Sequence, residues 1–162
     1  MFKINDYVVY GTNGVCKIAD IESMNLRNQL LEYYVLSPVN DKKMTIKIPV
    51  NNNKILIREL MTKTEVMSLI GYISKNETME IEDYRKKNQE YKSIIRSGNV
   101  LEIIKVINSI KSEENEKSSL GKKINKTEED ILVDAKKHLY EEMGMVLGIN
   151  VDEVEGYIGD NI

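Results

Sequence analysis

Apolar and polar residues alternate along roughly the first sixty positions, and the period then changes to that of a helix. Tyr7-Val8-Val9-Tyr10 is a β-favouring run, and Gly11-Thr12-Asn13-Gly14 supplies two glycines for a tight turn. A second strand follows over Val15 to Glu22, with Val15, Lys17, Ala19 and Ile21 on one side and Cys16, Ile18, Asp20 and Glu22 on the other. Asn25 to Gln29 predicts a polar loop, Leu31 to Leu36 a third strand, and Asn40 to Lys43 another turn. Met44, Ile46 and Ile48 alternate with Thr45 and Lys47 before Pro49 ends the ladder, which predicts a fourth strand with one buried and one polar face. After Asn51-Asn52-Asn53, the residues Ile55, Ile57 and Leu60 form a last short strand or exit segment. So many short strands in so little chain argue for a small, strongly bent Tudor/SH3-like β-barrel.

From Met61 onward the pattern is helical. Thr62 or Thr64 caps a helix whose stripe is Val66, Met67, Leu69, Ile70 and Ile73. A second helix starts near Glu77 to Glu82 and ends at Ser97-Gly98. Asn99 caps a third, with Val100, Ile103, Ile104, Val106, Ile107 and Ile110 as a thick apolar face. The polar run Lys111 to Lys123 reads as a loop or as the fraying end of that helix. Asn125 followed by Glu128 resembles a capping box, opening a fourth helix with Ile131, Leu132, Ala135, Leu139 and Met143 on one side, and a short last helix covers Val151 to Ile158. The fold class is therefore α+β, with a β-barrel over residues 1–60, a compact all-α domain over 61–162, and the boundary near Glu59 to Thr64.

Composition narrows the functional classes. The 162 residues are 41% hydrophobic, enough for one ordinary domain or two small ones. No apolar run approaches the roughly 20 residues that span a bilayer, and Met1 to Asp6 lacks the apolar stretch of a signal peptide. The expectation is a cytoplasmic protein without a membrane partner. Cys16 is the single cysteine, which excludes an internal disulfide and a Cys-based zinc site, and a small buried thiol is its expected state. His138 is the single histidine, and His138-Leu139-Tyr140-Glu141-Glu142 is no metal-binding helix motif. There is no P-loop, dinucleotide fingerprint or nucleophile elbow, and Glu128-Glu129-Asp130 suits the positive end of a helix dipole. No enzyme, catalytic residue, metal or cofactor is expected.

The net charge of -3 is unevenly spread. Residues 85–126 carry 11 Lys/Arg against 5 Asp/Glu, whereas residues 127–162 carry 2 against 10. An anionic polymer would therefore be met by the middle of the chain, and the acidic end would limit how tightly. In that basic middle, Tyr84-Arg85-Lys86-Lys87 sets one aromatic beside three consecutive cations. Cations neutralise phosphates and release counterions, while an aromatic ring stacks on or wedges beside a distorted base. The bland alternative is a solvated basic helix. Lys92 and Arg96 lie further along the same helix; Lys122, Lys123 and Lys126 form either a second phosphate patch or a solvated loop.

Several of these stretches resemble the CarD/CdnL-like bacterial transcription regulators, whose first domain is shared with the polymerase-interacting domain of the transcription-repair coupling factor. Phe2-Lys3-Ile4-Asn5-Asp6-Tyr7-Val8-Val9-Tyr10 is similar to the family's F-x-x-G-D-x-V-V-Y opening. Gly14-Val15, Glu32-Tyr33-Tyr34-Val35-Leu36 and Met44-Thr45-Ile46-Lys47-Ile48-Pro49-Val50 are also similar, and Tyr84 and Ser97-Gly98-Asn99 stand at the spacing of the family's Trp and Ser-Gly-Asp. The likeness extends to about Leu147. It implies that the barrel binds the β subunit of RNA polymerase and that the helical domain reaches promoter DNA at the upstream edge of the bubble, weakly and mainly in the polymerase complex. Open-complex stability would be modulated, and the protein would be nucleoid-associated through polymerase.

The resemblance assigns the wedge to Tyr84 and phosphate contacts to Arg85, Lys86, Lys87, Lys92, Arg96, Lys123 and Lys126. It assigns the polymerase contact to Thr45 and Lys47, with Arg27 in the preceding loop. Three departures bear on this: Asn5 replaces a Gly, Tyr84 replaces a Trp, and Glu129 and Asp130 stand where relatives are basic. A phenol has less stacking area than an indole, and carboxylates at a helix N-terminus oppose phosphate, so both latter changes imply weaker DNA contact. The alternative is a protein-only adaptor in which the barrel binds polymerase or another partner through a strand edge and the helical domain docks a protein. The state is monomeric, or dimeric through the N-terminal domain.

Overall fold

A computed structural model describes residues 1–162, which divide into two compact units, Met1–Leu60 and Met61–Ile162. The first is a five-stranded antiparallel sheet of order β4-β3-β2-β1-β5, made of β1 (Tyr7–Tyr10), β2 (Val15–Leu26), β3 (Gln29–Pro38), β4 (Ile46–Pro49) and β5 (Ile57–Glu59). Val8, Tyr10, Cys16, Ile18, Tyr34, Leu36 and Ile48 fill its core, and the Cys16 thiol is fully buried there. Phe2 closes one side, its ring edge-on to Tyr34 at 6.0 Å and its amide donating to the Tyr34 hydroxyl.

Two departures from simple alternation shape this sheet. The β2–β3 register shifts between Ile18 and Asp20, so Ala19 bulges outward and both Ile18 and Ile21 turn toward the core. The alternation expected over Val15 to Glu22 is therefore interrupted, and the bulge resets its phase. The expected Asn25 to Gln29 loop is a two-residue turn, Arg27-Asn28, with φ of 48° and 62°, and the strands stay paired up to Leu26 opposite Gln29. Asn5 also has positive φ, 75°, and its amide bonds the Ile18 carbonyl at 2.8 Å. A glycine suits that backbone, and asparagine is among the few side chains that tolerate it.

The second unit is helical: α1 (Lys63–Ile73), α2 (Lys87–Ser97), α3 (Val100–Ser119), α4 (Lys126–Leu147) and α5 (Val151–Asp160). Thr62 and Glu65 form a capping box on α1, and Asn99 caps α3 by accepting from the Glu102 amide. Glycines in left-handed conformation, Gly98 and Gly148, end α2 and α4. The core joins Val66 and Ile70 of α1, Tyr91 and Ile95 of α2, Ile103 to Ile110 of α3, Ile131 to Met143 of α4, and Val154 and Ile158 of α5. Of the polar run Lys111 to Lys123, residues up to Ser119 continue α3 and only the residues after it form the loop before α4. No helix is long and apolar enough to cross a membrane.

Candidate nucleic-acid interface

Tyr84 opens a single 3-10 turn, Tyr84–Lys86, that runs into α2. Asp83 pins that turn, its Oδ1 accepting from the Arg85 amide at 3.0 Å and its carbonyl from the Lys86 amide at 3.0 Å. Tyr84 is 73% exposed, although a large apolar ring is costly to leave in water. Arg85 points to solvent with its side chain 93% exposed and only a 3.5 Å approach to Asp83; Lys86 is exposed too. An exposed ring between a fixed turn and two solvated cations can stack on a base while the cations meet phosphates.

Lys87, expected as a third phosphate contact, is placed differently from its two neighbours. It is buried at 8% exposure, and its ammonium donates to Glu113 Oε1 at 3.1 Å, Glu113 Oε2 at 3.0 Å and Glu128 Oε1 at 2.9 Å. Burial alone would push this lysine's pKa down, but the hydrogen bonds to Glu128 and Glu113 outweigh that and hold it above its ordinary value. The ammonium also lies 5.5 Å from the Tyr84 ring centroid. Glu128 is likewise not the reciprocal arm of a capping box. Asn125 caps α4 by accepting from the Glu128 amide at 2.8 Å, while the Glu128 side chain turns inward to Lys87. Its Oε2 lies 3.7 Å from Lys117.

The remaining cations are spread out. Lys92 and Arg96 are exposed one turn apart on α2, along a groove whose other wall bears Thr127, Asp130 and Asp134 of α4. Lys122 and Lys123 are solvated in the loop before α4. Lys126 is exposed but lies 3.0 Å from Asp130 and 3.8 Å from Glu129, and its pKa is raised, chiefly by the hydrogen bond to Asp130. Much of its charge is therefore answered within its own helix turn.

On the sheet, β4 is an edge strand, and Lys47 stands opposite Val35 with its ammonium 2.6 Å from Glu22 Oε2. Thr45 is exposed just before the strand begins at Ile46. Arg27 does not join them. It sits at the tip of the β2–β3 turn, beyond Gln29, which is six residues along β3 from Val35, or about 20 Å at the usual strand rise. The expected short loop had hidden that length of hairpin. The structure thus sets Glu22, Glu113 and Glu128 against the candidate residues Lys47 and Lys87. A signal existed for Glu113: Val106, Ile110, Glu113 and Lys117 fall at helical spacing, extending the buried face of α3 into the polar run. No three His, Cys, Asp or Glu side chains cluster in a way that could hold a metal ion.

Residues 2–61 match the family model of the CarD-like/TRCF RID domain, and residues 65–159 match that of the CarD C-terminal domain. YdeB of Bacillus subtilis (strain 168), a protein named as a candidate transcription factor, is 25% identical over 160 residues, covering 97% of this chain and 99% of its own length.

Proposed function

This chain belongs to the CarD-like family of RNA polymerase-interacting transcription regulators, and from that premise we propose that it holds the β subunit with its sheet unit and promoter DNA with its helical unit. The observation that carries the DNA half is the exposed Tyr84 on a turn pinned by Asp83, beside the exposed Arg85 and Lys86. Tyr84 acts as the wedge at the upstream edge of the bubble. Arg85 and Lys86 take phosphates, with Lys92, Arg96 and Lys123 further out and Lys126 contributing less because Asp130 and Glu129 answer it. The β4 edge with Thr45 and Lys47 meets the polymerase, since an edge strand offers unpaired backbone groups and Lys47 can exchange Glu22 for a partner carboxylate.

The protein acts by differential binding. Contacts made in the open complex but absent from the closed one shift the equilibrium by no more than their free-energy difference. A wedge worth about 1–3 kcal/mol lengthens open-complex lifetime roughly 5- to 150-fold. The test is that lifetime on a promoter with cognate polymerase, without protein and with wild type, Tyr84→Ala and Tyr84→Trp. Extension by wild type, lost in Tyr84→Ala and kept or increased in Tyr84→Trp, supports the reading. The adaptor reading has its own support in the acidic residues 127–162 and the locally answered Lys126. It takes over if all three proteins bind polymerase and none changes the lifetime.

A further inference from the structure

The Tyr84 ring is exposed, yet it is not free, and what restrains it lies beneath it. Lys87 is three residues on, the spacing at which side chains of a 3-10 turn fall on one face, and its ammonium sits 5.5 Å from the ring centroid. The ammonium is gripped by two carboxylates, by Glu113 through both oxygens at 3.0 and 3.1 Å and by Glu128 through Oε1 at 2.9 Å. Glu113 comes from α3 and Glu128 from the first turn of α4, where the Asn125 cap fixes its backbone. The ring thus rests on a cation held by two other helices. A phosphate approaching Lys87 would meet a buried ammonium with two carboxylates already seated on it.

We propose that Lys87 is a positioning residue: clamped by Glu113 and Glu128, it sets the Tyr84 ring against α3 and α4 and touches no DNA phosphate. The DNA consequence rests on the reading of Tyr84 as the wedge, whereas the clamp itself can be read without DNA. A pre-set ring meets the base step without the entropy cost of being ordered on binding. The cation also stays charged throughout the neutral range, since its carboxylate partners hold its pKa up.

The chain contains no tryptophan, so Tyr84→Trp places a single indole reporter where the clamp acts. In that background the full-length protein is compared with a version also carrying Lys87→Met, Glu113→Gln and Glu128→Gln, which removes the clamp without leaving a buried carboxylate unpaired. Glu113→Gln alone is the milder variant, leaving Lys87 on Glu128. Acrylamide quenching and anisotropy decay of the indole, without DNA or polymerase, read the clamp. Faster local motion in the triple variant, and an intermediate change in Glu113→Gln, support the proposal; unchanged motion in Glu113→Gln together with unchanged or unreadable motion in the triple variant overturns it.

In the polymerase–promoter complex, the triple variant is expected to lose roughly five-fold of the lifetime extension. The slope of log affinity against log salt is expected to stay constant, whereas Lys86→Met lowers it by about 0.9, the value of one phosphate contact. A slope lowered by the same amount in the triple variant overturns the proposal. If Tyr84→Ala leaves the lifetime unchanged, the wedge reading fails, while the motion of the indole reporter still decides the clamp.

Discussion

Lys87 and Lys47 are each ion-paired to glutamate from a distant part of the chain, Lys87 to Glu128 at 2.9 Å and Lys47 to Glu22 at 2.6 Å. The first pair is sealed among α2, α3 and α4; the second lies open on a sheet beside an edge strand. Distance alone would rank the exposed pair as the stronger, and burial reverses that order. In water an ion pair exchanges one set of good partners for another, so breaking it costs little and a new partner can take its place. In a core the charges have nowhere else to go. The same chemistry therefore builds a fixed support in one unit and an exchangeable contact in the other.

The comparison breaks most visibly at Lys87. Lys87→Ala leaves Glu113 and Glu128 facing each other without their cation and is expected to destabilise the helical unit by about 3–5 kcal/mol in denaturant unfolding. A loss below about 1 kcal/mol would place Lys87 with the exposed pairs. The pH dependence has a definite sign. The folded pKa of Lys87 lies above its unfolded value, so its stabilisation is fully present at neutral pH and up to the unfolded lysine value of about 10.4. It is lost as pH rises through the folded pKa. Urea melts between neutrality and strongly alkaline pH should show a fall confined to the alkaline end, and Lys87→Met with both glutamines should flatten the part due to this group.

Smaller effects sharpen the contrast. Asn125→Ala removes the cap that orients the first turn of α4, and with it the backbone of Glu128, at a cost of about 1 kcal/mol read by thermal unfolding. Lys47→Ala should change stability by less than about 1 kcal/mol, yet weaken binding to the polymerase β subunit several-fold in a direct binding assay. A large stability loss at Lys47, or unchanged polymerase affinity, would remove the exchangeable-contact interpretation of that pair.

Much of the architecture was legible because it depends on local rules. Alternation at Ile46, Lys47 and Ile48 marked β4, and Thr62, Asn99 and Asn125 marked helix starts through side chains that satisfy free amides. The bulge at Ala19 and the Arg27-Asn28 turn were harder to see. One is a register slip decided by cross-strand pairing, and the other places a non-glycine side chain in the left-handed region. At the candidate site, the exposure expected of Tyr84, Arg85 and Lys86 from residue type is what the structure has. The burial of Lys87 was not legible, because partners 26 and 41 residues away decide its state, and no pattern local to Tyr84-Arg85-Lys86-Lys87 encodes them. A run of cations carries no mark of which member is turned inward.

The central claim is that the position held by Tyr84 meets promoter DNA when polymerase is present. The most direct measurement is site-specific photocrosslinking from a photoreactive phenylalanine analogue introduced at position 84, in the polymerase–promoter open complex and with DNA alone. The account predicts a crosslink to DNA at the upstream edge of the bubble in the complex and little or none without polymerase. Crosslinks to protein alone, with polymerase bound, would contradict it and leave the helical unit as a protein-docking module.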